Sequence, residues 1–356
     1  PDSAYYSGDF TMRRSLLKIA ALAGVAMFSL SAANAGSLIA VPQFPGGTAT
    51  DPFAINNSNN IAGAYTDANG AEHGFYGTLA GSYTSFDYTL GSGVSATLAR
   101  GMDDNGNITG YAPGGSEAVG YEWEMSNGVM SSVTRGTNPA PLDGIAQQIN
   151  SLGSFAGDYE APRARYAYLG NASMVMRHLP LEFGSTAMAG RGVNASNEIV
   201  GWFYDASGVQ HGFSDVGGTF TQIDYPGSNV IYTVLEGIND SGLIIGEYQD
   251  TTGFVHSFQV DSTGTFKEFK VPGATQFIQA FGVNNAGFVT LLSDVGPYVY
   301  CPLSKFHCSQ VGAAVHVADA RPIHKPAGYF VVFNPAKLAN HGALPKAKLP
   351  KGAAAL

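Results

Sequence analysis

Hydrophobic and polar residues alternate along most of this chain in short segments, cut by clusters of Gly, Asn, Asp and Ser. A two-residue alternation bounded by turn residues predicts half-buried antiparallel strands. The pattern is clearest from residue 193 to 237. A strand ends at Val193-Asn194, Ala195-Ser196-Asn197 turns, and Glu198 to Tyr204 forms a second strand. Asp205-Ala206-Ser207-Gly208 turns, Gln210 to Val216 is a third strand, and Gly217-Gly218 leads into a fourth from Thr219 to Tyr225. Pro226-Gly227 ends the unit, and Val230 to Gly237 opens the next. After residue 35 no stretch sustains a helical period with good helix formers.

The unit recurs. Asn56, Asp103, Asn150, Asn194, Asn239 and Asn284 mark one place in six copies, at intervals of 47, 47, 44, 45 and 45 residues. Three residues after each marker stands Gly or Asn, the types that enter left-handed backbone most readily. Five residues after it stands Ile61, Ile108, Phe155, Ile199, Ile244 or Val289. Four short strands per repeat of this length predict a β-propeller blade. The sixth copy lacks a fourth strand, while Ala40 to Gly47 matches the ending Gln222 to Gly227. The expectation is an all-β propeller of about six four-stranded antiparallel blades, closed by pairing the N-terminal strand with the C-terminal blade. Copies two and three diverge, which leaves five or seven blades open. Gly63, Gly110, Gly157, Gly201 and Gly246 recur seven residues after the marker, with Leu291 in the sixth copy. Crowding near a central channel is the expected reason for them.

Composition agrees with short strands and tight turns: 46 Gly, many Tyr and Phe, and only 13% charged residues. The net charge is −9, and residues 36 to 334 hold 11 basic and 25 acidic residues, so that part is near −14. Such a surface repels phosphate and argues against nucleic acid as a partner. Residues 334–356 read as a disordered basic Ala/Pro/Lys tail, and residues 311–333 as an extra strand pair.

Residues 12–35 read as a signal peptide: Arg13, Arg14 and Lys18, an apolar run from Ile19 to Leu30, and an Ala-Asn-Ala ending at Ala35. Residues 1–11 read as upstream leader, and the propeller as 36–310. Export by the general or the twin-arginine route, to the periplasm or the medium, follows, with no membrane span after cleavage. In an oxidising compartment Cys301 and Cys308 are expected to form a disulfide.

His73-Gly74-Phe75, His211-Gly212-Phe213 and His256-Ser257-Phe258, the Asn-x-x-Gly turns and the ending Thr219 to Gly227 resemble the HAF repeat of bacterial extracellular proteins. The resemblance covers about residues 40 to 309. It implies export and a propeller-like repeat fold, and it supplies no activity. Copies two and three lack the tripeptide, with Gly120-Tyr121 and Ala167-Tyr168 nearby.

Asp67, Asp205 and Asp250 each precede a tripeptide His, His73, His211 or His256, by six residues across a turn. These six are the candidate binding residues. They read either as hairpin ties held by a carboxylate or as a ring of His for metal or proton transfer. No metal site is assigned. Asp103-Asp104-Asn105-Gly106-Asn107 and Asn239-Asp240-Ser241-Gly242 resemble fragments of calcium loops, without the terminal bidentate Glu. No cofactor is assigned beyond that calcium alternative. Tyr83, Phe86 and Tyr88 read as core packing or as platforms for sugar rings. Nucleophile-elbow, zincin and phosphate-loop motifs are missing, so no catalytic residue is assigned. The expected function is a secreted, non-enzymatic binding or scaffold module for an extracellular glycan or protein. The alternative is a polysaccharide hydrolase or lyase with its site at the channel mouth.

Overall fold

The computed structural model describes residues 36–308, except 90–95, 115–116, 125–127, 133, 136–137, 142–143, 162–163, 172–175 and 303–307. The leader, signal peptide, extra strand pair and tail expected from the sequence lie outside the described residues.

Six four-stranded antiparallel sheets follow one another along the chain. From innermost to outermost strand, the first blade is Ala49–Ile55, Asn60–Thr66, Glu72–Thr78 and Tyr83–Phe86. The second is Leu98–Met102, Asn107–Gly114, Glu117–Glu124 and Val129–Ser132, and the third is Gly144–Ile149, Phe155–Ala161, Ala164–Gly170 and Met176–His178. The fourth is Ala187–Val193, Ile199–Tyr204, Gln210–Val216 and Thr219–Gln222, and the fifth is Val230–Ile238, Ile244–Asp250, Val255–Val260 and Phe266–Glu268. The sixth takes Ile278–Val283, Val289–Ser293 and Gly296–Cys301 from the C-terminal part and its outermost strand, Ser37–Ala40, from the N-terminal part. There Leu38 pairs with Tyr300 and Ala40 with Tyr298, and Val41 N–H donates to Pro297 O at 3.1 Å. The expected ring closure is therefore present. Cys301 and Cys308 are disulfide-bonded, and both are buried with Ile39, Val41, Ile61 and Phe75 where the sixth blade meets the first. A small hairpin, Thr134–Arg135 with Asn138–Pro141, lies between the second and third blades in sequence and has no counterpart in the repeat pattern.

The marker turns explain the repeat locally. In all six blades the marker's Oδ1 accepts the backbone N–H groups two and four residues on, at 2.8–3.1 Å. The residue three on is left-handed, from φ 58° at Asn197 to 87° at Gly106. This is a tight hairpin turn capped by an Asx contact.

The recurrent Gly is placed otherwise than by channel crowding. It lies on the second strand, against a β-bulge that interrupts the innermost strand of every blade. A Cβ at Gly63, Gly110, Gly157, Gly201 or Gly246 would strike an innermost-strand carbonyl, that of Asp51, Leu98, Ile145, Ala189 or Val234. The third-strand ring, Phe75, Tyr121, Tyr168, Phe213 or Phe258, packs in the same layer and is fully buried. In copies two and three, Tyr121 and Tyr168 do the work of the missing Phe, and each hydroxyl donates to the crowding carbonyl, Leu98 O or Ile145 O, at 2.9 Å. Gly201→Ala should cost about 2–3 kcal/mol in a urea titration, because a backbone oxygen cannot rotate away. Gly208→Ala, with open space but φ +83°, should cost only about 1 kcal/mol. Equal costs would remove this explanation of the repeat.

Candidate functional site: two faces and an axial hub

In a meander, the turns after the first and third strands lie on one face of the ring. Those after the second strand, and the crossovers between blades, lie on the other. The markers therefore share one face, and their successors line the mouth of the central axis. Four of the six markers also reach sideways, while Asn194 Nδ2 donates to Glu198 in its own turn. Asn56 Nδ2 donates to Asp103 O, Asn150 Nδ2 to Asn194 O, Asn239 Nδ2 to Asn284 O, and Asn284 Nδ2 to Asn56 O, at 2.7–3.3 Å. The last link joins residues 228 apart and spans the seam between the sixth and first blades. Asp103 has no amide to continue the belt, and its Oδ2 accepts from Asn105 and Asn107. Outside this belt, Asn57 N donates to Asp104, Ala195 N to Asp240, Asp240 N to Asn285, and Asn285 N to Asn57. The mouth is an open dish rimmed by Asn and Asp side chains.

Beneath the rim a ring of Ile55, Met102, Ile149, Val193, Ile238 and Val283 floors the dish. One residue deeper stand Ala54, Gly101, Gln148, Gly192, Gly237 and Gly282. A Cβ at Gly192 would meet Gly237 Cα at 2.7 Å, and one at Gly282 would meet Phe53 O at 2.8 Å, so the innermost strands nearly touch here. Gln148 fills the gap that remains: its Nε2 donates to Ile238 O at 3.0 Å and its Oε1 accepts Ile238 N–H at 3.2 Å. This neck separates the dish from what lies below.

The next level is a hub with one side chain from each blade: Phe53, Arg100, Gln147, Arg191, Glu236 and Phe281. Each stands three residues before its marker, where the innermost strand is bulged. At ~3.3 Å per residue it lies roughly 10 Å below the marker belt. The Arg100 guanidinium is 4.6 Å from the Phe53 ring centre and 4.9 Å from that of Phe281. Its Nε donates to Gln147 Oε1 at 2.9 Å, and its terminal nitrogen is 3.9 Å from Glu236 Oε2. The sequence carried this ring at a constant offset, but its mixed chemistry hid it, since no single residue type repeats.

Asp51 and Glu247 are buried and Glu72 is half-buried on the inner three strands of their blades. Glu247 accepts from Gln279 Nε2 at 2.8 Å, and burial, reinforced by the Glu236 charge, pushes it up to about 8. Burial pushes Asp51 to about 7, with a contribution from Glu72, which burial itself pushes to about 7. The folded chain thus holds protons that the unfolded chain releases above its ordinary carboxylate values of 3.8 and 4.5. Stability is therefore lost as pH rises from about 4.5 through 8. Asp250 and Glu268 act oppositely. Burial raises them, but hydrogen bonds from Thr252 and His256, and from Lys270, Tyr248 and Tyr225, outweigh it and hold both near 2. Their contribution is lost only below about pH 4.5. The melting temperature should fall by about 5–10 °C between pH 5 and pH 8.5, and Glu247→Gln should flatten part of that fall. A melting temperature that rises over this range would contradict the burial of these acids.

The His and Asp candidates lie on the opposite face, in three separate blades. His73 Nδ1 is 2.7 Å from Asp87 Oδ1, and its Nε2 is 3.7 Å from Asp67. His211 Nδ1 is 2.8 Å from Asp224 Oδ2, and its Nε2 is 3.6 Å from Asp205. His256 Nε2 is 3.0 Å from Asp250 Oδ2. Asp67, Asp205 and Asp250 each also cap their own turn, accepting backbone N–H groups two and four residues on. Sequence reasoning missed Asp87 and Asp224, although the repeated Asp-Tyr of the unit ending marks both. Each His ring closes a stack across a blade seam. Phe44 lies on Tyr65 and Tyr65 on His73; Phe183 on Phe203 and Phe203 on His211; Tyr225 on Tyr248 and Tyr248 on His256. The first ring of each stack comes from the crossover preceding the blade that supplies the other two. Among the described residues, no group of three or more His, Cys, Asp or Glu is arranged to hold a metal ion. Phe86 and Tyr88 are buried, Phe86 stacking on Trp123 at 4.3 Å, and the Tyr83 hydroxyl donates to Pro42 O. The first two are packing residues, not exposed platforms.

No protein-family model matches the chain, and no curated protein matches it in sequence. Solved structures are similar to it at low identity. TolB from Acinetobacter baumannii is 13% identical with a TM-score of 0.48, over 68% of this chain and 63% of that one. The chain thus spans less than two thirds of that protein's length. A catalytically inactive virginiamycin B lyase from Staphylococcus aureus, in a structure with quinupristin, is 12% identical with a TM-score of 0.42, over 74% and 98%. The Aleuria aurantia lectin in complex with Fucalpha1-6GlcNAc is 11% identical with a TM-score of 0.41, over 73% and 88%. The assignment as a six-bladed propeller rests on the sheet order and register of the chain itself. Among the described residues, no helix is long and apolar enough to cross a membrane.

Proposed function

We propose that this chain is an exported, non-enzymatic propeller of the HAF-repeat kind, whose marker-turn face binds an extracellular glycan. One observation carries the reading. The dish presents exposed polar side chains from four blades, Asn57, Asp104, Asp240 and Asn285, on turns tied to one another by hydrogen bonds. A rigid array of amide and carboxylate groups suits hydroxyl-rich ligands, because little side-chain entropy is lost on binding. The signal-like N-terminal pattern, the HAF resemblance and the Cys301–Cys308 disulfide support export.

A glycan and polysaccharide panel tests the reading, scored for retention and for new chain ends. Retention without new ends is expected, and Asn57→Ala with Asn285→Ala should weaken it at least about tenfold. New chain ends would put the hydrolase or lyase alternative in its place. Retention unchanged in the double variant would move the site off this face.

A further inference from the structure

Two buried donors in the hub have no acceptor. Gln147 is 2% exposed; its Oε1 accepts from Arg100, and its Nε2 finds no hydrogen-bond partner. Arg191, the hub residue of the next blade, has a buried Nε that likewise finds none. Both stand at the same offset on bulged innermost strands of adjacent blades, so they are neighbours in the ring. A buried amide N–H without an acceptor is destabilising, and a guanidinium N–H more so. Two neighbouring groups of that kind, both donors, call for one shared acceptor.

The charges around them ask for the same thing. The hub holds two guanidinium groups, Arg100 and Arg191, against one carboxylate, Glu236. Facing it from the second strands are Tyr111, Asp158, Tyr204 and Glu247, with Glu72, Arg165 and Tyr232 nearby. Asp158 is paired with Arg165 at 3.0 Å. Glu247 accepts from Gln279 and Tyr232, and burial pushes it up. The hub ring itself therefore holds one more guanidinium than carboxylate.

We propose that the hub binds one small monovalent anion, a halide or a carboxylate no larger than acetate, seated between Arg191 and Gln147 Nε2. The anion supplies the missing acceptor and neutralises the excess charge. Since the neck lies between hub and dish, this site is independent of the glycan reading and can fail or stand without it.

Thermal unfolding of the full chain at constant ionic strength tests the proposal, with chloride, formate or acetate replacing gluconate, a much larger anion. A saturable rise of about 3–5 °C between 1 and 100 mM is expected for at least one small anion and not for gluconate. The rise should vanish in Arg191→Met and shrink in Gln147→Leu. A rise with chloride alone marks a halide site, and one with formate or acetate alone marks a carboxylate site. If Arg191→Met does not fold, crystals grown with bromide decide. An anomalous peak within hydrogen-bonding distance of Arg191 and Gln147 supports the site, and no peak there overturns it unless formate or acetate occupies that position in density. Equal responses to all anions, or an unchanged response in the folded variants, also overturn it.

Discussion

Replacing Arg100 by Leu should destabilise the protein by about 3–5 kcal/mol. The guanidinium joins four blades at once: rings from the first and sixth, an amide from the third and a carboxylate from the fifth. Leu can fill some of the volume between Phe53 and Phe281, but it leaves Glu236 buried without its partner and Gln147 Oε1 without a donor. Arg191 still leaves one cation in the hub, but Arg100, at 3.9 Å, is the only ion-pair partner of Glu236 among the described residues, so the charge left by that broken local pair dominates the loss. The double variant Arg100→Leu with Glu236→Gln should therefore recover more than half of it, because the neutral amide carries no such charge. Urea midpoints of the wild type, both single variants and the double variant give the coupling directly. A single Arg100→Leu variant within about 1 kcal/mol of wild type would show that the hub does not hold the blades together.

Starting the chain at Pro42 should have an effect of similar size and a second symptom. The deletion removes Ile39 and Val41, 1% and 7% exposed, from the core at the closing seam. At about 1.5–3 kcal/mol for each buried aliphatic side chain, the loss is roughly 3–6 kcal/mol. It also strips the partner from Gly296–Cys301 and leaves a free sheet edge. A free edge pairs with other chains, so the truncated protein should self-associate in sedimentation while the full chain stays discrete. Unchanged stability and unchanged sedimentation would mean that the N-terminal strand does not close the ring.

Most of the fold is written in the sequence because each blade solves the same local problem. The marker turn requires an Asx cap and a left-handed residue, and the third strand of the fourth blade runs from Gln210 to Val216 as its alternation predicts. The fourth strand is shorter than its pattern, ending at Gln222 and not at Tyr225. Asp224 turns instead to His211 and to Gly212 N–H, and Tyr225 leaves to stack on Tyr248 in the next blade. Tertiary contacts win over alternation there. The recurrent Gly was visible but its cause was not, since a bulge on a neighbouring strand leaves no mark at the Gly itself. Sites were harder to see. His73, His211 and His256 announce themselves by type, whereas the hub is conspicuous only once the innermost strands are placed around one axis. Gln147 and Arg191 look like ordinary polar strand residues until the bulge turns them inward.

Hydrogen exchange of the N-terminal strand tests the closed ring most directly. The Ser37–Ala40 segment should exchange as slowly as Val289–Ser293, the strand buried deeper in the same blade, because both open only when the ring opens. Exchange of Ser37–Ala40 within seconds, while Val289–Ser293 stays protected, would contradict a propeller joined through its two chain ends.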